Sequence, residues 1–181
     1  MYIDLTSCSS LIGFVTHANN DQLTVSSHYS TGFSSHRSRL YTTEILNRGF
    51  SGGWTAGSES VNEYIQIEFR TMRRVERVAT QGRDVNNQRV TSYRIAYSTD
   101  GSIFEFVQNT LGNDVIFNGN TDESTVVQHD FDPALVARYV RLHAQTWNYR
   151  ISLRWEVYGC DIGKIVFRIT ELGNKRILIN F

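Results

Sequence analysis

Proline, cysteine and long apolar runs are scarce in this chain. Its 181 residues include one Pro and two Cys, and no stretch approaches the roughly 20 apolar residues that a membrane-spanning helix needs. Lys and Arg together number 18, as do Asp and Glu. This balance argues against nucleic acid as a partner, because phosphate binding relies on concentrated basic residues. With 40% apolar residues, the chain is long enough to form one globular domain with its own core.

Sequence motifs of the common enzyme classes are also missing. The five His residues show no metal-ligand spacing such as H-E-x-x-H, and there is no G-x-S-x-G elbow, P-loop or C-x-x-C pair. The carboxylates are scattered along the chain rather than paired in one loop. These observations predict a binding module and not an enzyme.

Alternating apolar and polar residues predict β-strands at 64–69, 91–98, 138–144 and 151–159. An Asp-Gly pair at 100–101, followed by a second strand at 103–108, predicts a hairpin. Helical periodicity is limited to short segments, and 132–138 is expected to form at most one helical turn. Many short strands between turn-forming clusters indicate an antiparallel sandwich or jelly-roll barrel.

The pattern changes after residue 160. Residues 165–170 and 175–181 predict one further hairpin, turning at 171–174. The extension 161–181 is therefore either an accessory hairpin on the sandwich or the start of another module.

The two cysteines, Cys8 and Cys160, bracket the strand-rich region. Their placement suggests a disulfide between the first and last strands, which in the chain-entropy model removes about 4–5 kcal/mol of freedom from the unfolded chain. Such a bond persists in an oxidising compartment, so we expect an extracellular or secreted protein. Two unrelated buried thiols are the alternative. The N-terminus shows no signal peptide, and we therefore expect a mature form, a fragment or an expressed domain.

Seven segments of the chain are more specific than alternation and turns: SSHYSTGFSSHRSRL (26–40), GGWTAGSES (52–60), YIQIEF (64–69), ATQGR (79–83), VTSYRIAYSTDGS (90–102), FNGNTDESTVV (117–127) and RYVRLHAQTWNYRISLRWEVYGC (138–160). In this order and at this spacing they resemble the discoidin domain, the C-type module of coagulation factors V and VIII, neuropilins, retinoschisin, lactadherin and the slime-mould discoidins.

The resemblance covers residues 8–160. It implies an all-β, eight-stranded antiparallel jelly-roll sandwich of the galactose-binding-like type, with its termini joined by the Cys8–Cys160 disulfide. It also implies that ligands bind at the opposite end, on loops 28–35, 47–53 and 82–89, with 146–150 beside them.

Candidate ligand-binding residues in the first two loops are mostly aromatic. Tyr29 and Phe33 lie among Ser, Thr and Gly, where exposure competes with local packing. Phe50, flanked by glycines, is either a ligand or membrane contact or a plug that holds its loop down. Trp54 matches a family position at the floor of the loop-end cavity, and Thr55 could present its hydroxyl to a ligand.

The remaining candidates are mostly polar. Glu59 falls where neuropilin-like modules have an Asp that grips a cationic ligand group. Arg83 and Asp84 follow Gly82 in the third loop, where the slime-mould lectins have a similar QGR segment beside their galactoside site. Together they could donate to and accept from sugar hydroxyls. The alternative for this pair is a surface ion pair of little energetic value.

The fourth loop contributes Trp147, Asn148 and Tyr149, whose ring faces, amide and phenol suit the stacking and hydrogen bonding that a sugar requires.

Charged residues on the closing strands have a structural interpretation. Arg141, Arg154 and Glu156 are expected to form a buried or half-buried charge network. Discoidin-like sugar-binding modules of bacterial enzymes hold calcium with an aspartate-rich loop and a Glu like Glu156, but here only Glu44 accompanies it. No metal or cofactor is therefore expected, with calcium as a minor alternative.

Two functions remain open. The first is adhesion or recognition of a cell-surface glycan or an extracellular protein through the loops. The second is peripheral binding of a phospholipid membrane through Phe33 and Phe50. Each loop carries only one or two bulky apolar residues separated by Gly and Ser, and this favours the adhesion hypothesis.

Overall fold

A computed structural model describes residues 8–162 of the chain. Its nine strands are β1 (Ile12–Gly13), β2 (Leu23–Val25), β3 (Trp54–Thr55), β4 (Tyr64–Gln81), β5 (Arg89–Ser98), β6 (Glu105–Phe106), β7 (Phe117–Asn118), β8 (Val127–Asn148) and β9 (Ser152–Asp161). Its helical elements are the four-residue α1 (Phe14–His17) and 3-10 turns at Asn20–Gln22, Thr31–Phe33, Ser35–Ser38 and Leu46–Arg48.

Strands β4 and β8 organise the sandwich because each contributes to both of its layers. Residues 64–68 of β4 pair with 139–143 of β8, and after a register shift residues 73–80 pair with 127–137. β5 continues the first layer from β8, whereas β9 continues the second from β4. The resemblance implied eight strands. The structure keeps that architecture, with two long continuous strands and several two-residue ones.

The hydrophobic core lies between these layers and draws on alternate residues of each strand. Ile65 and Ile67 enter it from the first half of β4, and Val75 and Val78 enter from the second half. Trp155 of β9 is fully buried among them. Burial on one face of each strand explains why the alternating pattern was visible in the sequence.

The predicted hairpin at 91–108 is confirmed, because β5 pairs antiparallel with β6 through Ala96 and Phe106. Residues 132–138, for which the sequence allowed at most one helical turn, form none and are extended within β8. Strand pairing of Leu135 and Ala137 with β4 decides their conformation, and tertiary pairing of this kind overrides a weak local preference. The hairpin predicted at 165–181 lies outside the described residues.

The predicted disulfide is confirmed. Cys8 and Cys160 are bonded, with their Cα atoms 5.7 Å apart, and they join the beginning of the described chain to the end of β9. The ten residues of β9, at about 3.3 Å per residue, separate this bond from the loops at the other end of the strand. None of the helices in the part of the chain described could span a membrane.

Arg154 and Glu156 are buried, as expected, but they do not pair with each other. Glu156 instead accepts hydrogen bonds from the backbone N–H groups of Val15 (2.5 Å), Thr16 (2.9 Å) and Val157 (2.9 Å). It therefore holds α1 against β9. Arg141 lies apart, with its guanidinium over the ring of Phe104 at 3.5 Å.

Candidate ligand-binding loop face

Backbone hydrogen bonds join the three predicted loops at the end of the sandwich. The N–H of Ser51 donates to the carbonyl of Gly32 (2.9 Å), and the N–H of Asp84 donates to that of Gly52 (3.0 Å). A Cβ on Gly32 would lie 2.0 Å from the carbonyl oxygen of Gly49, so only glycine permits this approach. The loops therefore form one continuous surface.

The fourth segment, 146–150, lies beside this surface. The Asn148 side chain donates to the carbonyl of Asn87 (2.7 Å), and the Arg150 guanidinium lies 4.7 Å from the centre of the Tyr29 ring. We call the surface formed by residues 28–35, 45–53, 57–59, 82–89 and 146–150 the loop face.

Arg83 is an internal support of the loop face and not an outward-facing group. It is 6% exposed, and its guanidinium donates to Glu44 (2.7 Å) and Gln88 (2.9 Å) while lying 5.0 Å from the centre of the Phe33 ring. Its carboxylate partner is Glu44, not Asp84 as the sequence suggested. Asp84 accepts the N–H of Glu44 at 3.0 Å.

A second buried arginine holds the bases of the loops together. Arg154 donates to the carbonyls of Gly82 (2.8 Å), Thr42 (3.0 Å) and Glu123 (2.5 Å). Burial lowers the pKa of this guanidinium, and the nearby Asp84 carboxylate partly opposes the shift. An arginine suits the position because its rigid fork of donors can reach several acceptors at once.

Trp54 and Thr55 lie beneath the loop face. Trp54 is 0% exposed, and its indole N–H donates to the carbonyl of Ser27 (2.9 Å). The Thr55 hydroxyl is buried against the hydroxyl of Ser152 at 2.7 Å. The position of Trp54 as a floor agrees with the resemblance, but Thr55 does not present its hydroxyl at the surface, because β3 pairs with β9 there.

The exposed side chains of the loop face include two tyrosines from different loops. Tyr29 is 56% exposed and Tyr149 is 75% exposed. Between these loops, the Glu59 carboxylate accepts the N–H of Ile151 (2.8 Å) and lies 3.6 Å from the Arg150 guanidinium. Trp147 is partly buried and packs against the core, so its role is mainly to anchor this loop.

Phe33 and Phe50, expected at loop tips, are both half-buried. Phe33 packs edge-on against Tyr29. Phe50 lies beside His36 and Arg37. Burial lowers the pKa of His36, and Arg37 and then Arg39 add to the effect. A neutral imidazole is thereby favoured under Phe50.

The residue at the tip of the second loop is Leu46, which sequence reasoning missed. It is 84% exposed and begins the 3-10 turn Leu46–Arg48, which Ile45 and Phe50 close by pairing with each other. The loop was expected to begin at residue 47, one position too late. The leucine immediately before Asn-Arg-Gly was the available signal.

A metal site has no support from the carboxylates that the sequence singled out. Glu44 is engaged by Arg83 and Glu156 by backbone N–H groups. Within residues 8–162, no three or more His, Cys, Asp or Glu side chains are grouped so as to hold a metal ion.

This architecture is that of the discoidin-like, galactose-binding-like sandwiches. Discoidin II from Dictyostelium discoideum superimposes with a TM-score of 0.75, at 27% identity, over 84% of this chain and 59% of that one. The family 32 CBM of C. perfringens NanJ, solved in complex with galactose, matches with a TM-score of 0.59 over 82% of this chain and 99% of that one. At 15% identity it shows the shared fold alone.

A family model described as the F5/8 type C domain matches residues 22–157, and the chain belongs to that family. Neuropilin-1 of Homo sapiens is 39% identical over 149 residues, which are 80% of this chain and 15% of neuropilin-1. The chain thus corresponds to a small part of this relative.

Proposed function

We propose that this chain is an extracellular recognition module, not an enzyme, that binds a glycan or a protein ligand at the loop face. Its contact residues would be Tyr29, Tyr149, Glu59, Arg150 and Asn148. The disulfide between Cys8 and Cys160 supports a location in an oxidising environment.

The observation that carries this proposal is the exposure of two tyrosines around a charged pair. Tyrosine rings offer a flat apolar face and a hydroxyl to the same ligand, and Glu59 and Arg150 add an acceptor and a donor between them. Rigid strands hold the loops from which these side chains extend, as is usual for loop-borne binding sites.

The test is binding of the disulfide-bonded protein to a glycan array and to cell surfaces, with Tyr149→Asn as the variant. Tyr149 has a φ of 57°, and asparagine tolerates this left-handed conformation. Removing one exposed aromatic contact should weaken binding about tenfold, or about 1.4 kcal/mol.

A matched control is Tyr41→Asn. Tyr41 also has a positive φ, 64°, and is 69% exposed, but it is not part of the loop face. Burial raises the pKa of Tyr158 of β9, and the nearby phenol of Tyr41 contributes to this shift. We expect this variant to bind as the unaltered protein does. Equal loss of binding in both variants, or in neither, would contradict the proposed site.

A phospholipid membrane is the second candidate, and Leu46 favours it. An exposed leucine at a loop tip, with Arg48 in the same turn, could enter the acyl region while the arginine contacts anionic headgroups. Burying one leucine contributes about 2 kcal/mol, so Leu46→Ser should weaken liposome binding about thirtyfold if membrane is the ligand.

Leu111→Ser is the control for this test. Leu111 is 83% exposed but lies in the turn 109–113 on the flank of the sheet. In a flotation assay with phosphatidylserine vesicles, loss of binding confined to Leu46→Ser would replace the adhesion proposal with the membrane one.

A further inference from the structure

A groove of about 510 Å³ opens on the flank of the sandwich, away from the loop face. Tyr97 of β5, Val107 beside β6, and Pro133 and Leu135 of β8 contribute apolar surface to it. Val107 and Tyr97 also pack against the core, so the groove is the place where the edge of the core meets solvent between the two layers.

Three carboxylates, Glu105, Asp114 and Asp132, also line this groove. Only Asp114 has a cationic partner, since Arg94 donates to it at 3.0 Å. The Glu105 carboxylate is approached by the Tyr97 hydroxyl at 3.5 Å. No hydrogen bond or ion pair joins the Asp132 side chain to another of the described residues.

Every other carboxylate between residues 8 and 162 accepts from an arginine, from a backbone N–H or, for Glu63, from three serine hydroxyls. Those paired with arginine are Asp21, Glu44, Glu59, Glu68, Glu76, Asp114, Asp130 and Asp161. Those bound to backbone N–H groups are Asp84, Asp100, Asp122, Glu123 and Glu156. The two exceptions, Glu105 and Asp132, line the same groove.

We propose that this groove binds a basic segment of a protein partner, with an arginine or lysine side chain lying in it. The alkyl stem of such a side chain would pack on Tyr97 and Pro133, because long cationic side chains cover apolar surface while their charged ends stay polar. Its charged end would reach Glu105 and Asp132 at the rim, where charge-assisted hydrogen bonds are available.

Charge complementarity favours this occupant over an anionic or neutral one. Arg94 is committed to Asp114 and stacks over Phe106 at 4.0 Å, so it does not neutralise the remaining two carboxylates. The groove is separate from the loop face, and the inference stands whether or not a glycan binds there.

The test uses a short, terminally blocked glycine–arginine peptide, with a glycine–glutamate peptide as the negative probe. Blocked termini prevent recognition of a free carboxylate or amine elsewhere on the protein. Titration by calorimetry and by amide chemical-shift mapping should show the arginine peptide perturbing Tyr97, Val107 and Leu135. The glutamate peptide should have no effect.

The variant Glu105→Gln/Asp132→Asn should weaken this binding about tenfold at low salt. The matched control is Asp21→Asn/Asp161→Asn, which also removes two exposed negative charges but does so away from the groove. Tyr149→Asn on the loop face should leave peptide binding unchanged.

If the groove variant and its charge-matched control weakened binding equally, the peptide would be responding only to the net charge of the protein. That result would overturn the proposal. Shifts that map to the loop face instead of the groove would overturn it too. Unchanged binding by the groove variant would likewise overturn the proposal, provided that its thermal unfolding matches that of the unaltered protein.

Discussion

The loop face has an inner and an outer layer, and the two differ in how their polar groups are used. In the inner layer, Arg83 and Arg154 are buried. Arg83 donates hydrogen bonds to Glu44, and Arg154 donates to backbone carbonyls. In the outer layer, Tyr29 and Tyr149 are exposed. The inner layer fixes the shape of the loops, and the outer layer is free to contact a ligand.

This difference separates stability from binding. Replacing an inner residue leaves buried partners unsatisfied, which is costly, whereas replacing an outer residue removes only surface contacts. Variants of the two layers should therefore affect different measurements.

Arg154→Ala should give the largest effect. It leaves three carbonyls without their charged donor in a buried environment, and we expect the free energy of unfolding to fall by about 3 kcal/mol or more. Urea denaturation measures this directly. Arg154→Lys should recover only part of the loss, because one ammonium group cannot reach all the carbonyls that the planar guanidinium reaches. A neutral Arg154→Ala would contradict the supporting role of the inner layer.

Arg83→Ala compared with Arg150→Ala is the sharpest test of the two layers. Arg83→Ala leaves the mostly buried Glu44 carboxylate without its arginine partner and should lower the free energy of unfolding by about 2–3 kcal/mol. Arg150 is a half-exposed partner of Glu59, so its removal should change stability by less than about 0.5 kcal/mol while weakening ligand binding. The opposite pattern, with Arg83→Ala stable but defective in binding, would restore the sugar-contact role that the sequence suggested.

Acid should destabilise the sandwich through a region outside the loop face. Burial, and then Arg141 and Arg94, lower the pKa of His143 from 6.5 to about 4. Because His143 is harder to protonate in the folded state than in the unfolded state, it contributes to the free energy of unfolding. This contribution is complete above pH 6.5 and is lost as the pH falls towards 4. The loss should be about 2 kcal/mol after allowance for the partial exposure of the ring.

Urea denaturation between pH 7 and pH 4 checks this expectation, and His143→Gln should flatten the profile. The pKa of His36, which packs against Phe50 of the loop face, is lowered in the same direction. If only His36→Gln flattened the profile, the acid-sensitive group would lie next to the loop face and not at His143.

The sequence predicted the strands well where one face is buried along a whole segment. The segments 64–69 and 91–98 lie within β4 and β5, and 151–159 matches β9 from residue 152 onward, because alternation records a one-sided environment. It did not predict that 64–69 continues to residue 81 or that 132–138 is extended. Both depend on pairing with distant strands, which no local pattern records.

At the candidate site, the sequence indicated the correct loops but not the layer to which each side chain belongs. Arg83 was expected to reach a ligand, yet it pairs with Glu44, 39 residues away in sequence. Leu46 was missed although it is the most exposed large apolar residue described. Composition distinguishes a polar loop from a strand, but the exposure of a loop side chain depends on what the neighbouring loops place over it.

The alternating pattern, the bracketing cysteines and the motifs from 26 to 160 correctly predicted the fold class, the disulfide and the family. These features are local, or are fixed by the order of residues along the chain. The partners of the buried charges, the exposure of Tyr29 and Tyr149, and the two carboxylates in the flank groove depend on contacts between segments far apart in sequence. Burial and pairing are properties of the folded chain, and that is why the structure was needed to assign them.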